Sequence, residues 1–224
     1  MAESLVAVRD GFCWDDCDGY LFDIDGTLLH AQGGVHTDAF SSSVEFVMGY
    51  PLSIAGVPVH GSTDTGILRD AFRQAAIADE IWQPRMEEIL VRMRHMSVTV
   101  MPGVLSLLDY LKGRDKVLGV ATGNLEQIGW LKIEIAGLRD YFTFGGFSDR
   151  HAVRSNLIAN AQKLAGPDVK LCVVGDTPSD ITAARANGIP TIAVATGVYS
   201  YDELLQHEPE VCVSTLDALL SISA

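Results

Sequence analysis

Two aspartates, Asp23 and Asp25, stand two residues apart where the apolar run Tyr20–Phe22 meets the turn-forming Gly26. If a strand continued through them, alternate residues would share a face and both carboxylates would point the same way. Converging carboxylates at the end of a buried strand repel each other and lose solvation, so they need a cation, a shared proton or a reaction. The spacing therefore predicts a functional site.

The chemistry that such a pair could perform is nucleophilic. A carboxylate at the carboxyl end of a parallel strand lies where ligands of open α/β sheets bind, and it can attack phosphorus when a metal screens its charge. Asp25 could then donate a proton to the leaving oxygen. Gly26 would turn the chain and bring its N–H toward an anion. The alternative is that both aspartates bind their own backbone in an Asp-Gly turn.

A second acidic pair, Asp176 and Asp180, follows another apolar run. Thr177 and Pro178 mark the start of a helix, so Asp180 falls in its first turn and could simply cap it. Asp176 stands at the end of the strand before that helix. If the strands of Asp23 and Asp176 are neighbours, three or four carboxylates meet in one crevice. Oxygen ligands of this kind favour Mg²⁺.

A third strand end supplies a hydroxyl and an amide. The apolar run at 117–121 is followed by Thr122, Gly123 and Asn124, just before a predicted helix. The Thr side chain and the two following N–H groups could cradle an anion. The signal is weak alone, because strand-Thr-Gly-helix junctions are common, but it gains weight beside the two acidic sites.

With these motifs in this order, the chain resembles the haloacid dehalogenase superfamily, in the branch similar to phosphoglycolate phosphatases. The motifs that carry the resemblance are 23–27, 122–124 and 175–180, and they span most of the sequence. The resemblance implies a Rossmann-like, doubly wound parallel α/β core with an inserted α-helical cap. It also implies a phosphatase that acts on a small phosphomonoester through an aspartyl-phosphate.

The resemblance assigns a role to each motif. Asp23 would be the nucleophile, and Asp25 would be the general acid and later the base for water. Thr122 would bind the phosphoryl group. Mg²⁺ would be held by the Asp23 carboxylate, the Asp25 backbone carbonyl, Asp176, and Asp180 directly or through water. The further substrate-binding residues expected are Gly26, Thr27, Gly123, Asn124, Thr63 and Asp64.

The third motif of the family departs from its usual pattern, since it normally supplies a lysine beside the nucleophile. The stretch 145–157 contains arginines only, and Arg154 is our candidate. Arginine keeps the charge but not the geometry of lysine. Lys132 and Lys163 are less suited by position, and Arg154 could instead be a solvated cation at a helix start.

Reaction class follows from the second aspartate. Expelling an alkoxide needs a proton donor, whereas expelling a halide does not, so Asp25 favours phosphoryl transfer over dehalogenation. Phosphohexomutases, which return the phosphoryl group to a bound sugar, keep the same acid pair and are the enzymatic alternative. The physiological substrate stays open among phosphoglycolate, a sugar phosphate and a nucleotide monophosphate.

The elements around these motifs predict two domains. From Gly103 onward predicted strands at 117–122, 170–175, 191–195 and 211–213 alternate with helices, and 142–144 could add a short strand. This alternation indicates a parallel sheet covered on both faces. Residues 35–101 instead show helical periods. We therefore expect a core of residues 1–34 and 102–224 and a helical cap of residues 35–101. Within the cap, Thr63 and Asp64 have a simpler interpretation as helix-capping residues.

Composition narrows the partners. The chain has 224 residues, 48% of them hydrophobic, and a formal charge of −13. The negative charge argues against nucleic acid or anionic membrane as a partner. No run approaches the roughly 20 apolar residues of a membrane span, and no basic signal flank is present. We expect a cytoplasmic monomer or homodimer that acts on a small phosphorylated metabolite.

A rival from another class is a zinc-binding recognition module. Cys13, Cys17, His30 and His36 fit a loose zinc-finger spacing. The predicted strand and Asp-Gly turn interrupt that template, and the charge has the wrong sign for DNA.

Overall fold

The protein is described by a computed structural model that covers residues 5–31, 35–58, 62–92, 98–149, 151 and 153–222. Its strands are β1 (Val6–Val8), β2 (Gly19–Phe22), β3 (Leu29–Ala31), β4 (Val98–Val100), β5 (Val117–Ala121), β6 (Phe144–Gly146), β7 (Leu171–Gly175), β8 (Thr191–Val194) and β9 (Val211–Val213). Its helices are α1 (Val35–Met48), α2 (Asp64–Gln74), α3 (Asp79–Trp82), α4 (Met86–Arg92), α5 (Val104–Lys112), α6 (Glu126–Ile135), α7 (Arg154–Ala165), α8 (Pro178–Arg185), α9 (Tyr201–Leu205) and α10 (Asp217–Leu220).

A mostly parallel sheet organises the described chain. Seven strands lie in the order β1-β9-β8-β7-β2-β5-β6, and every neighbouring pair is parallel except β1 with β9. The central strand β2 lies between β7 and β5, with Phe22 aligned to Val174 on one side and Val120 on the other. The carboxyl ends of these three strands therefore meet at one edge. This confirms the predicted doubly wound α/β fold.

The central strand is buried on both faces, as expected for a parallel strand covered by helices. Tyr20 and Phe22 pack into one hydrophobic cluster, whereas Leu21 packs into another with side chains of α7 and α8. All three are buried. Because side chains alternate along β2, the next residue, Asp23, is directed toward the layer that contains α7 and α8.

The predicted elements of the core agree with the observed ones to within a few residues, with three differences. The strand through Tyr20 ends at Phe22, so the alternation argument for the two aspartates does not hold beyond Asp23. The strand expected at 142–144 lies at Phe144–Gly146. The strands β1, β3 and β4 were not predicted, because each has three residues and is too short to show the alternation of apolar and polar residues by itself.

Between β3 and β4 the described chain is helical and supplies most of one apolar cluster, which Leu125 and Ile128 of the α6 region complete. Phe40, Phe72 and Trp82 are buried there, and the rings of Phe72 and Trp82 stack with centroids 5.0 Å apart. The two strands pair antiparallel, with Leu29 opposite Val100, so the chain leaves and re-enters the main sheet side by side. No helix within the described ranges has both the length and the apolar character to cross a membrane.

Helix α5 provides a matched test of core packing. Leu108 is fully buried, whereas Leu105 on the same helix is 50% exposed. We expect Leu108→Ala to lower the free energy of unfolding by about 2–5 kcal/mol, because it leaves a cavity. Leu105→Ala should change it by less than about 0.5 kcal/mol. Urea denaturation of both variants checks this, and equal losses would contradict the assigned packing of α5.

Candidate functional site

Three strand ends position the predicted site. Asp23 follows β2, Asp176 follows β7 and Thr122 follows β5. The backbone N–H of Asp23 donates to the Val174 carbonyl at 2.9 Å, and that of Thr122 donates to the Gly146 carbonyl at 3.0 Å. The hydrogen bonds of the sheet therefore extend to Asp23 and Thr122, and they fix the backbone positions from which these two side chains project.

An acidic cluster lies at this edge. Carboxylate oxygens of Asp23, Asp176 and Asp180 all lie within 4.8 Å of one another, and all three residues are buried. Burial is the main cause that raises the pKa of Asp23 to about 7 and that of Asp176 to about 8, against the opposing effect of Arg154. Repulsion from Asp180 adds to both shifts, with further repulsion from Asp25 on Asp23 and from Asp23 on Asp176. The predicted meeting of carboxylates in one crevice is confirmed, and their shared negative charge calls for a cation.

Arg154 contributes one cation to this cluster. It is the first residue of α7 and only 9% exposed. Its Nη2 lies 2.8 Å from Asp23 Oδ2 and 2.6 Å from Asp180 Oδ1, and its Nε donates to the same Asp180 oxygen at 2.8 Å. Burial alone would lower the pKa of this guanidinium, but the carboxylates of Asp180, Asp23 and Asp176 raise it. The alternative of a solvated cation at a helix start is therefore wrong.

Asp180 performs the capping role that the sequence suggested, and it also pairs with arginine. Its Oδ2 accepts from Thr177 N at 3.1 Å and from Thr177 Oγ1 at 2.7 Å, while Thr177 Oγ1 accepts from Asp180 N at 3.3 Å. Since Oδ1 already accepts from Arg154, both carboxylate oxygens of Asp180 have protein donors. Asp180 therefore orients Arg154 within the cluster.

The Asp176 carboxylate lies in a notch formed by Gly26 and Gly197. Thr27 Oγ1 donates to Asp176 Oδ1 at 2.9 Å. A Cβ added at Gly26 or Gly197 would overlap Asp176 Oδ2, so only glycine fits at either position. Gly26 also has φ +88°, a left-handed conformation that favours glycine. The oxygen-rich donor set and the glycine notch fit a hard divalent cation.

Asp25 does not join the acidic cluster. Its two carboxylate oxygens accept from Lys132 Nζ at 2.6 and 2.8 Å, and Oδ2 also accepts from Asn124 Nδ2 at 2.7 Å. Lys132 is fully buried, whereas the Asp25 side chain is 36% exposed. The expectation that Asp23 and Asp25 point the same way is wrong, because the strand ends at Phe22 and each aspartate has its own cation.

The second motif forms a compact polar turn. Thr122 Oγ1 accepts from Asn124 N at 3.2 Å and from Asn124 Nδ2 at 2.8 Å, and Thr122 is fully buried. A Cβ added at Gly123 would lie 2.7 Å from the Ser62 carbonyl oxygen. The segment that precedes α2 therefore packs directly on this turn.

Thr63 and Asp64 lie at the start of α2. Thr63 is buried, and its Oγ1 accepts from Gly66 N at 2.9 Å, which is the capping interaction that the sequence allowed. Asp64 is the first helical residue, and its side chain lies outside what the structure describes. Their substrate-binding roles stay predictions.

The sequence did not predict the site contacts of Lys132, Thr196 and Gly197. Lys132 lies on the buried face of α6 with Ile128 and Ile133, and a lysine at core spacing in an apolar helix was the available signal. Thr196 and Gly197 follow β8, and Thr196 Oγ1 donates to the Gly26 carbonyl at 2.6 Å. Here the signal was the tetrapeptide Val-Ala-Thr-Gly, which occurs at 194–197 as it does at 120–123.

The residues of the zinc-finger alternative do not assemble. Within the described ranges, the acidic cluster is the one group of three or more potential ligands close enough to hold an ion. Cys13 is exposed, Cys17 is buried and His30 is exposed, and the side chain of His36 lies outside the description. Nothing in the described residues supports a zinc module.

Comparison with known proteins gives consistent matches. A profile of haloacid dehalogenase-like hydrolases matches residues 20–194. A phosphoglycolate phosphatase of Rhodospirillum rubrum is 29% identical over 191 residues, which cover 79% of each chain.

Solved structures match the fold. The crystal structure of a hydrolase from Pseudomonas syringae superposes with a TM-score of 0.66 at 20% identity and covers 92% of this chain and all of its own. A structure from Thermotoga maritima, provisionally assigned as a beta-phosphoglucomutase, has a TM-score of 0.62 at 20% identity and covers 92% and 97% of the two chains. At these identities the two structures support the architecture alone.

The raised pKa of Asp176 predicts how stability depends on pH. The folded protein holds this proton more tightly than the unfolded chain, so metal-free stability is lost as pH rises from about 4 to about 8. Asp176→Asn cannot titrate. We expect the variant to gain stability relative to the natural protein across this window, measured by urea denaturation in chelator.

Added Mg²⁺ should make the natural protein more stable than Asp176→Asn. Mg²⁺ should raise the melting temperature of the natural protein but not that of Asp176→Asn. Asp168→Asn, at an exposed carboxylate, is the matched control and should behave as the natural protein. A pH-independent stability difference, or equal Mg²⁺ effects in the two proteins, would contradict a repulsive metal-binding cluster.

Proposed function

Since this chain belongs to the family of haloacid dehalogenase-like hydrolases, we propose that it hydrolyses a small phosphomonoester through an aspartyl-phosphate on Asp23. Relatives named as phosphatases cover most of the chain, which makes it an enzyme of the phosphatase type. The observation that carries the mechanism is the buried contact of Asp23 with Arg154, beside Asp176 and Asp180. A buried carboxylate with a fixed cation at the carboxyl end of the central strand is suited to attack phosphorus.

In the first half-reaction a carboxylate oxygen of Asp23 forms a bond to phosphorus. The bond between phosphorus and the ester oxygen breaks, and its electron pair stays on that oxygen, which takes a proton from the Asp25 carboxyl group. In the second half-reaction water attacks phosphorus and gives a proton to the Asp25 carboxylate. The Asp23–phosphorus bond breaks, and the Asp23 carboxylate and inorganic phosphate are formed.

The surrounding residues bind charge and orient groups. Arg154 would offset the negative charge of Asp23 and of the incoming phosphoryl group. The hydroxyl of Thr122 and the N–H groups of Gly123 and Asn124 would bind phosphoryl oxygens. The hydroxyl of Thr27 donates to Asp176, so we assign it the orientation of that carboxylate rather than direct contact with substrate.

Members of this family generally use a divalent metal, and we propose Mg²⁺ here. Asp23 and Asp176 would hold it with their carboxylates, Asp25 with its backbone carbonyl, and Asp180 directly or through water. When bound, the ion would screen the carboxylates and polarise the phosphoryl group.

We propose that residues 35–101 act as a cap over this site, and that residues 1–34 and 102–224 form the catalytic core. The apolar cluster around Phe40 and Phe72 supports this division because most of its members lie within residues 35–101, although Leu125 and Ile128 join it from the core. The pairing of β3 with β4 supports it as well. The close approach of the Ser62 carbonyl to Gly123 supports a cap that lies beside the proposed phosphoryl cradle. A closed cap would exclude water during the first half-reaction.

The proposed substrates are small phosphorylated metabolites, with phosphoglycolate first because it appears in the name of the R. rubrum relative. The mutase alternative is distinguished by its product, since a mutase returns the phosphoryl group to the sugar and releases little phosphate. Cytoplasmic location and a monomeric or homodimeric state stay predictions.

The first test is phosphate release from a panel of phosphomonoesters, including phosphoglycolate, hexose phosphates and nucleotide monophosphates. We expect release that requires Mg²⁺ and that falls by at least about 10³-fold in Asp23→Asn. Asp168→Asn should retain full activity. Isomerised sugar phosphate without phosphate release would favour the mutase, and activity that survives in Asp23→Asn would contradict the proposed nucleophile.

The contacts of the Arg154 guanidinium with Asp23 and Asp180 give a second test. Arg154→Lys keeps the charge but loses one of the contacts to Asp23 and Asp180, so we expect kcat to fall about 10-fold to 100-fold. Arg154→Met leaves the carboxylates without their cation and should be the more severe change in both kcat and metal-free stability. Steady-state kinetics checks this, and equal activity of all three proteins would show that Arg154 has no catalytic part.

A further inference from the structure

Lys132 makes contacts that the proposed mechanism does not yet use. We propose that Lys132 is a positioning residue for the proton donor: it fixes the Asp25 carboxyl group for transfer to the leaving oxygen. This inference rests on the proposed function. It predicts that the loss of Lys132 lowers kcat/KM more for substrates whose leaving group is more basic.

The first support is burial. The Lys132 side chain has no exposed surface, although a buried ammonium is costly unless it is paired. It lies on α6 among apolar residues, with Ile128 and Ile133 also buried on that helix. A lysine retained in such a position needs a compensating partner. Asp25 supplies it through both carboxylate oxygens, at 2.6 and 2.8 Å.

The second support is that Asp25 is held on two sides. Lys132 contacts both oxygens, and Asn124 Nδ2 donates to Oδ2 at 2.7 Å. Donors from two different elements fix the rotation of a carboxyl group that a single contact would leave free. The side chain nevertheless stays 36% exposed, so the fixed group is accessible to a reacting molecule.

The third support is the division between two cations. Arg154 contacts Asp23 and Asp180, whereas Lys132 contacts Asp25. The cation near the nucleophile affects bond formation to phosphorus, which every substrate requires. In the first half-reaction, the cation near the proton donor affects only departure of the leaving oxygen. The second half-reaction, in which Asp25 is the base, is the same for every substrate. The two basic residues should therefore have different kinetic signatures.

Leaving groups separate these effects. An alkoxide leaves only with a proton, so an alkyl phosphate needs a correctly placed Asp25. The nitrophenolate released from p-nitrophenyl phosphate is a far weaker base and can leave unprotonated. A variant that has lost only the placement of Asp25 should therefore retain most of its kcat/KM on the aryl ester, since kcat/KM reports the first half-reaction.

The experiment compares kcat/KM on p-nitrophenyl phosphate with kcat/KM on the best alkyl phosphate of the panel, at saturating Mg²⁺. This ratio covers the steps up to departure of the leaving group and excludes the later hydrolysis of the aspartyl-phosphate, which is common to both esters. Lys132→Met keeps the length of the side chain and removes the charge. We expect about a 10²-fold loss on the alkyl ester and less than about a 10-fold loss on the aryl ester. Asp25→Asn should show the same selectivity, whereas Arg154→Lys should slow both esters equally. Lys163→Met, at an exposed lysine of α7, should change neither rate.

The outcomes separate the inference from the mechanism on which it rests. An equal loss on both esters, or no loss, in Lys132→Met would overturn the positioning role while leaving the phosphatase intact. If that variant does not fold, Lys132→Gln, which keeps a donor without charge, decides by the same ratio of rates. If the natural protein releases phosphate from neither ester, or if Asp23→Asn is fully active, the proposed function fails and the role of Lys132 fails with it.

Discussion

The structure depends on burying three carboxylates at one edge of a parallel sheet. Asp23, Asp176 and Asp180 repel one another in a region that water barely reaches, and the raised pKa values of Asp23 and Asp176 express that cost. Arg154 offsets part of it. In the proposed function, the remaining negative charge would attract a hard cation, and the bound cation would in turn attract a phosphoryl group.

The fold makes this arrangement possible through the position of β2. Its neighbours on both sides also end at the site, so three motifs far apart in sequence reach one point without long loops. The glycines at 26 and 197 make room for the Asp176 carboxylate, because a side chain at either position would overlap its Oδ2 atom. Asp23 and Asp176 directly follow strands, and such rigid elements hold reacting groups more accurately than loops do.

Much of this could be predicted from sequence because the relevant signals are local. The apolar runs predicted the core strands, and the residue types at their ends predicted the acidic cluster. Arg154 was predicted from the resemblance to the family, whose third motif requires a cation. The helix start at Thr177 and Pro178 was also readable from side-chain chemistry, and the structure shows the capping interaction. What failed was the orientation of Asp25, because one residue of strand length decides which way a side chain points.

The contacts that sequence could not supply are tertiary. Nothing in the spacing between Asp25 and Lys132, 107 residues apart, indicates that they pair, and the lysine was judged less suited because its position did not match a family motif. Gly197 gained its meaning only from lying against Asp176. The roles of Thr63 and Asp64 depend on how closely the segment before α2 approaches the turn at 122–124, which no local pattern encodes.

The most direct measurement of the central claim is to trap the covalent intermediate. The protein, mixed with Mg²⁺ and its best phosphomonoester, is quenched in acid within the first turnovers and digested, and the peptides are weighed by mass spectrometry. The account predicts the added mass of one phosphoryl group on the peptide that contains Asp23, and its absence in Asp23→Asn. Rapid turnover with no modification of Asp23, or with the phosphoryl group on another residue, would contradict it.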